Sequence, residues 1–260
     1  MSRSIRWSLS LCVLMGFSWV AKAAEVNVYS YRQPHLIQPM FAVFTQETGI
    51  AVNAVYAKTG MLERLRSEGR NSPADLVFTV DIGRLADTVS AGLTQSVESA
   101  VLKVNIPANF RDPDGHWFGL TARARLIVTS RKRVAAGEIT RYEQLVEPKW
   151  RGRVCTRSAK HPYMVALTAS MIAAHGLDTT KHWLQGAKNN LARKPQGNDR
   201  TQVKAIYSGL CDVAVINHYY MAKMLADQEQ NPWAKSVRVI FPNQNDRGTH
   251  MNVSGVALTK

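Results

Sequence analysis

Acidic residues are scarce in this sequence: 19 Asp and Glu stand against 33 Lys and Arg, a formal net charge of +14. So basic a chain favours anionic partners, whether nucleic acid, lipid headgroups or small anions, and charge alone does not choose among them. Long apolar runs are also missing. The longest, Trp7 to Val20, holds fourteen residues, too few to span a bilayer comfortably, which excludes a multi-span membrane protein. Neither a glycine-rich phosphate loop nor an internal repeat nor a low-complexity tract occurs. What remains is ordinary: 45 % hydrophobic and 20 % charged residues, the balance of a soluble globular protein rather than a disordered chain or a collagen. A length of 260 residues makes one large domain or two small lobes.

The N-terminus narrows the choice of partner. Arg3 and Arg6 precede the apolar run, and Ala21-Lys22-Ala23 follows it with small residues one and three positions before Ala24. This is the tripartite pattern of an export signal cleaved after Ala23. Removing residues 1–23 takes away Arg3, Arg6 and Lys22 and lowers the charge from +14 to +11. Export to a bacterial periplasm makes nucleic acid a poor partner. Of the three cysteines, Cys12 leaves with the signal, so Cys155 and Cys211 remain. Each lies beside a short apolar strand, and an oxidising compartment permits a disulfide between them. The rival reading, a Cys nucleophile working with His161, lacks a third orienting group.

Strand and helix patterns alternate along the chain. Period-two or continuous apolar runs predict strands at Glu25–Tyr31, Ile50–Tyr56, Ala74–Val80, Trp117–Ser130, Arg153–Thr156, Asp212–Ile216, Val237–Phe241 and Asn252–Leu258. Helical spacing predicts helices at Ile37–Thr48, Lys58–Glu68, Asp81–Ala91, Met164–His175, Thr179–Ala192, Thr201–Ser208 and Tyr219–Gln230. The order implies an α/β protein of two doubly wound lobes joined by extended segments near Phe118–Thr121 and Asn252–Leu258, with a ligand cleft between them. The expected division is lobe 1 over 24–117, lobe 2 over 118–247 and a return strand over 248–260.

Ligands of open α/β folds gather where strands end and helices begin. Tyrosines fall at three such junctions: Tyr31, Tyr163, and the pair Tyr219 and Tyr220. Phenolate is a hard anionic oxygen donor suited to Fe³⁺, whereas a lone tyrosine at a helix start more often packs with its hydroxyl satisfied. Spacing alone leaves both readings open.

Six segments carry a resemblance: VNVYSYRQP (Val26–Pro34), NSPADLVFTVDIGRL (Asn71–Leu85), WFGLTARARLIV (Trp117–Val128), RGRVCTRS (Arg151–Ser158), LARKPQGNDRTQVKAI (Leu191–Ile206) and GTHMNVSGVAL (Gly248–Leu258). Together they resemble the tyrosine-rich subgroup of periplasmic ferric-iron-binding proteins of ABC importers. The resemblance implies a type II periplasmic-binding fold that holds Fe³⁺ between two lobes, without catalysing a reaction, and passes it as a monomer to an inner-membrane permease. It implies Tyr163, Tyr219 and Tyr220 as core ligands; Tyr31 is the candidate substitute for the family's loop ligands, the alternative being solvent or an anion in that position. It also assigns Arg125, the second arginine of TARAR, to a bound carbonate or bicarbonate. The sequence departs from the family where some relatives carry a His-Tyr ligand pair, here Gln33 and Pro34, and by placing His161 and His218 close to the ligand tyrosines. Relatives also continue past the strand that ends this sequence, so the C-terminal helices are expected to be missing. Two alternatives remain: an anion-binding protein of the same fold, or a truncated member without function.

Overall fold

The computed structural model describes residues 24–260, so the expected export signal at 1–23 lies outside the described residues. The elements alternate as the patterning predicts. The first half of the chain holds β1 (Glu25–Ser30), α1 (Pro34–Thr48), β2 (Ala51–Tyr56), α2 (Met61–Glu68), β3 (Leu76–Phe78), α3 (Ile82–Ser90), β4 (Thr94–Gln95) and α4 (Ala100–Asn105). The long strand β5 (Phe118–Ser130) follows, then β6 (Val154–Cys155), α5 (Pro162–His175), α6 (Leu177–Asn189) and α7 (Asp199–Tyr207). The chain ends with β7 (Val213–Asn217), α8 (Tyr219–Leu225), α9 (Asn231–Lys235), β8 (Val237–Ile240) and β9 (Met251–Thr259).

Local chemistry accounts for most boundaries. The Asp81 side chain accepts from the Arg84 N–H and opens α3, while Ser99 and Asn198 cap α4 and α7 in the same way. Pro162 stands in the first turn of α5, where its missing N–H costs nothing. The predicted helix Tyr219–Gln230 is divided instead. Asp227 Oδ1 accepts from the backbone N–H groups of Glu229 and Gln230, a local alternative to the helical ladder that closes α8 and lets α9 begin at Asn231. The expected strand at Arg153–Thr156 pairs over only two residues. Period-two and period-3.6 counting passed over β4 and α4, which are too short to repeat.

The strands form one mixed sheet in the order β2-β1-β3-β9-β5-β7-β6, with β4 also on β9 and β8 also on β5. Pairing is parallel among β2, β1 and β3, and again between β6 and β7. Strand β5 joins the two ends of this order. Its first part, Phe118–Ala124, pairs with β9, and from Arg125 onward it pairs with β7. Gly119 and Gly255 oppose each other in the β5–β9 ladder, where a Cβ on either would come within 2.6 or 2.5 Å of a backbone carbonyl. Helices cover both faces at each end. Around β1 and β3, Ile37 of α1 packs on one face while Met61, Leu65 and Leu85 of α2 and α3 pack on the other. Around β5 and β7, α7, α8 and α9 cover one face and α5 and α6 the other, which also buries Trp150 and Tyr142. This is the doubly wound α/β arrangement expected.

Cys155 and Cys211 are disulfide-bonded across 56 residues, both fully inside the core between β7 and α7. The nucleophile reading of Cys155 is therefore excluded. Cross-linking a loop of that length restricts the unfolded chain by about 4 kcal/mol. Urea unfolding of the Cys155→Ala/Cys211→Ala double variant is expected to show a loss of roughly 2–4 kcal/mol. A midpoint equal to that of the oxidised parent would contradict this.

Candidate metal centre

A cavity of about 870 Å³ opens between the two ends of the sheet. One wall comes from the loops after β1 and β2 and from α3, the other from the starts of α5, α7 and α8, and β5 crosses the floor. Tyr163 is the second residue of α5, while Tyr219 and Tyr220 open α8 directly after β7. Their side chains converge. The Tyr163 and Tyr219 hydroxyls are 3.2 Å apart and share a hydrogen bond, and the rings of Tyr219 and Tyr220 lie 4.4 Å apart. Burial pushes the Tyr219 phenol well above its ordinary range, and hydrogen bonds to Tyr163 and Tyr220 raise it further. The three side chains thus form a hydrogen-bonded cluster.

Cations surround them. Arg32, Lys58, Arg84, Arg123, Arg200 and Lys223 line the cavity, and among the described residues no Asp or Glu does. Arg84 is neutralised by Asp81 at 2.6 Å. Among the described residues neither Arg32 nor Arg123 is paired with a carboxylate; instead both donate to Ser254 Oγ, and Arg123 also donates to the Val80 carbonyl. Burial and the proximity of Arg123 push the Arg32 guanidinium below its ordinary value. Cations also face the phenol rings: Arg157 and Arg123 at 5.1 and 5.8 Å from Tyr163, Lys223 at 5.7 Å from Tyr219, and Arg200 at 5.8 Å from Tyr220. These contacts set positive charge against the ring faces.

Of the residues expected from sequence, Tyr163, Tyr219 and Tyr220 are brought together. Tyr31 borders the same cavity, but its oxygen accepts from the Leu62 N–H at 2.9 Å and so caps α2, with Arg84 stacked on its ring at 4.6 Å. Arg125 is elsewhere. It follows Arg123 by two residues on the same face of β5, which carries it about 7 Å further along the strand, beneath α5 and α7. There it is 1 % exposed, donating to Asp199 at 2.7 Å and Asn217 at 3.0 Å. The arginine of TARAR that reaches the cavity is the first, Arg123.

Asp199 is the hub beneath the site. Fully buried at the start of α7, it accepts from Arg125, from Arg157 at 3.1 Å and from the Asn217 backbone N–H at 2.8 Å. These bonds bind β5, β7, α7 and the loop before α5, and so set the angle between the two helices that carry the tyrosines. Tyr56, at the end of β2, also lines the cavity and was not singled out from sequence. Its signal was available, since it ends a strand just as Tyr31 was expected to.

Residues 71–257 match the model of the family described as bacterial extracellular solute-binding protein. The chain belongs to the bacterial extracellular solute-binding proteins. Members of this family are transport proteins, not enzymes. The chain is 45 % identical to iron uptake protein A1 of a Synechocystis species over 239 residues, covering 91 % of itself and 66 % of that protein. It therefore spans slightly less than two thirds of that relative. Among solved structures, ferric iron-binding protein A of Mannheimia haemolytica in an open conformation is 50 % identical, with a TM-score of 0.83 over 92 % of this chain and 75 % of that one. A Trichodesmium protein in complex with iron and citrate is 40 % identical, with a TM-score of 0.85 over 91 % and 76 %. These likenesses extend the family assignment to the fold of the whole described chain.

Removing the Asp199 charge leaves two guanidinium groups buried without a counterion, a change that costs about 3–5 kcal/mol. Asp199→Asn is expected to lose that much in chemical denaturation. A loss below about 1 kcal/mol, the range of an exposed ion pair, would show that the hub does not hold the site.

Proposed function

We propose that this solute-binding protein captures ferric iron from the periplasm in the cavity between the two ends of its sheet, as a monomer, and delivers it to an ABC permease in the inner membrane. The observation that carries this reading is the convergence of Tyr163, Tyr219 and Tyr220 in a cavity free of carboxylates among the described residues. Fe³⁺ is a hard ion that prefers anionic oxygen, and three phenolates match its charge. The surrounding cations then call for a further anion. Arg32 and Arg123, joined through Ser254, are the partners proposed for a carbonate, bicarbonate or carboxylate; the Arg125 expected from sequence is already neutralised by Asp199. Lobe 1 is proposed to comprise residues 24–117 and lobe 2 residues 118–247, with 248–260 returning to the first, and closure about β5 and β9 to enclose the cargo. Relatives named for iron uptake and ferric binding support the cargo assignment.

A second reading, an anion-binding protein without metal, draws on the same six cationic side chains. A visible absorption titration with ferric citrate, with and without bicarbonate, separates the two. Ferric binding predicts a phenolate charge-transfer band saturating at one iron per chain and lost in Tyr163→Phe or Tyr220→Phe. Citrate binding without iron, and no band with it, would favour the anion reading.

The pH dependence has a defined sign. With the Tyr219 phenol held protonated at neutral pH, each phenolate formed on loading releases a proton. Apparent iron affinity is therefore expected to rise with pH and fall on acidification, by up to about three decades per pH unit if all three phenols deprotonate. An affinity unchanged between pH 6 and 8 at constant free iron would contradict phenolate ligation.

A further inference from the structure

Two histidines stand among the tyrosines, and imidazole is a common metal ligand. Their hydrogen bonds argue for another role. His161 caps α5: its Nδ1 accepts from the Tyr163 backbone N–H at 3.2 Å, and its ring packs edge-on against the Tyr163 ring at 4.5 Å. His218 precedes α8, and its Nδ1 accepts from the Ala124 backbone N–H at 3.0 Å. The His218 backbone N–H donates in turn to the Ala124 carbonyl, also at 3.0 Å, so this ring is clamped to β5 from two sides. A backbone N–H can only donate. An Nδ1 facing one must present its lone pair, and the neutral ring then carries its proton on Nε2. Both rings line the cavity, and neither Nε2 has a hydrogen-bond partner among the described residues.

We infer that His161 and His218 enter the cavity as Nε2–H hydrogen-bond donors rather than as metal ligands, and so keep its donor set all oxygen. To ligate, either ring would have to abandon its backbone partner and flip, or lose its last proton. The tautomers follow from the hydrogen-bond geometry alone; the metal consequence rests on the ferric reading proposed above. Two donors aimed at anionic oxygen stabilise a bound phenolate or carboxylate without offering nitrogen to the cation. Borderline divalent ions such as Zn²⁺ and Ni²⁺, which favour imidazole, gain nothing at such a site, whereas Fe³⁺ is satisfied by oxygen. The histidines thus act as specificity-determining residues.

Long-range ¹H–¹⁵N NMR of the ¹⁵N-labelled apo-protein, assigned with His161→Gln and His218→Gln, reads the tautomers directly. Both rings are expected in the Nε2–H tautomer. A Nδ1–H tautomer at either position overturns the inference, whether or not the chain binds iron. In the ferric-loaded protein, pulsed EPR is expected to detect no directly coordinated imidazole nitrogen, and a coordinated nitrogen lost in either variant overturns it. His218→Gln, which retains an N–H donor, is expected to keep ferric affinity within about threefold, while His218→Leu loses about tenfold. Equal losses in the two variants would contradict the donor role. A wild-type chain that takes up no iron refutes the ferric reading, and the apo spectrum still decides the tautomers.

Discussion

The cavity depends on a carboxylate that never reaches it. Asp199 is buried between two guanidinium groups and a backbone N–H, and each of those partners comes from a different element: β5, the loop before α5, and the end of β7. An uncompensated charge in such a place is costly, so the three partners must arrive together. When they do, the starts of α5 and α8 are held at a fixed separation, and Tyr163 and Tyr219 meet across it. Arg157 serves twice, pairing with Asp199 below and facing the Tyr163 ring above.

Above that hub the electrostatics are left unbalanced. Six cationic side chains line the cavity, of which Arg84 alone is paired with a carboxylate among the described residues, while the Tyr163 and Tyr219 hydroxyls share a hydrogen bond. Repulsion within such a wall is relieved by an incoming anion. Placing the acid underneath rather than in the cavity preserves positive potential where the ligand enters and still neutralises the deepest arginine. The fold permits this arrangement because β5 belongs to both ends of the sheet: its Arg123 faces the cavity, while Arg125, two residues on, faces Asp199.

Much of this was legible in the sequence. Alternation of β-branched runs with amphipathic stretches gave the element order, and cysteines flanking two short apolar runs pointed to a disulfide that the core contains. The three tyrosines that converge all lie at strand-to-helix junctions, where a one-dimensional pattern suffices. Arg125, expected to face the cavity, faces Asp199 instead for a physical reason. Two residues of equal parity on a strand share a face, and sequence does not say how far the cavity extends along it. Asp199 was invisible because a helix-opening acid normally reads as a cap, and its partners lie 42 and 74 residues away. Likewise, the hydroxyl of Tyr31 is taken up by the start of α2, a tertiary contact that no spacing rule reports.

Resonance Raman spectroscopy of the iron-loaded protein, excited in the visible, addresses the central claim most directly. The account predicts strong tyrosinate ring modes that shift when ring-deuterated tyrosine is incorporated and weaken in Tyr219→Phe. Stoichiometrically bound iron whose spectrum contains no tyrosinate modes would contradict it.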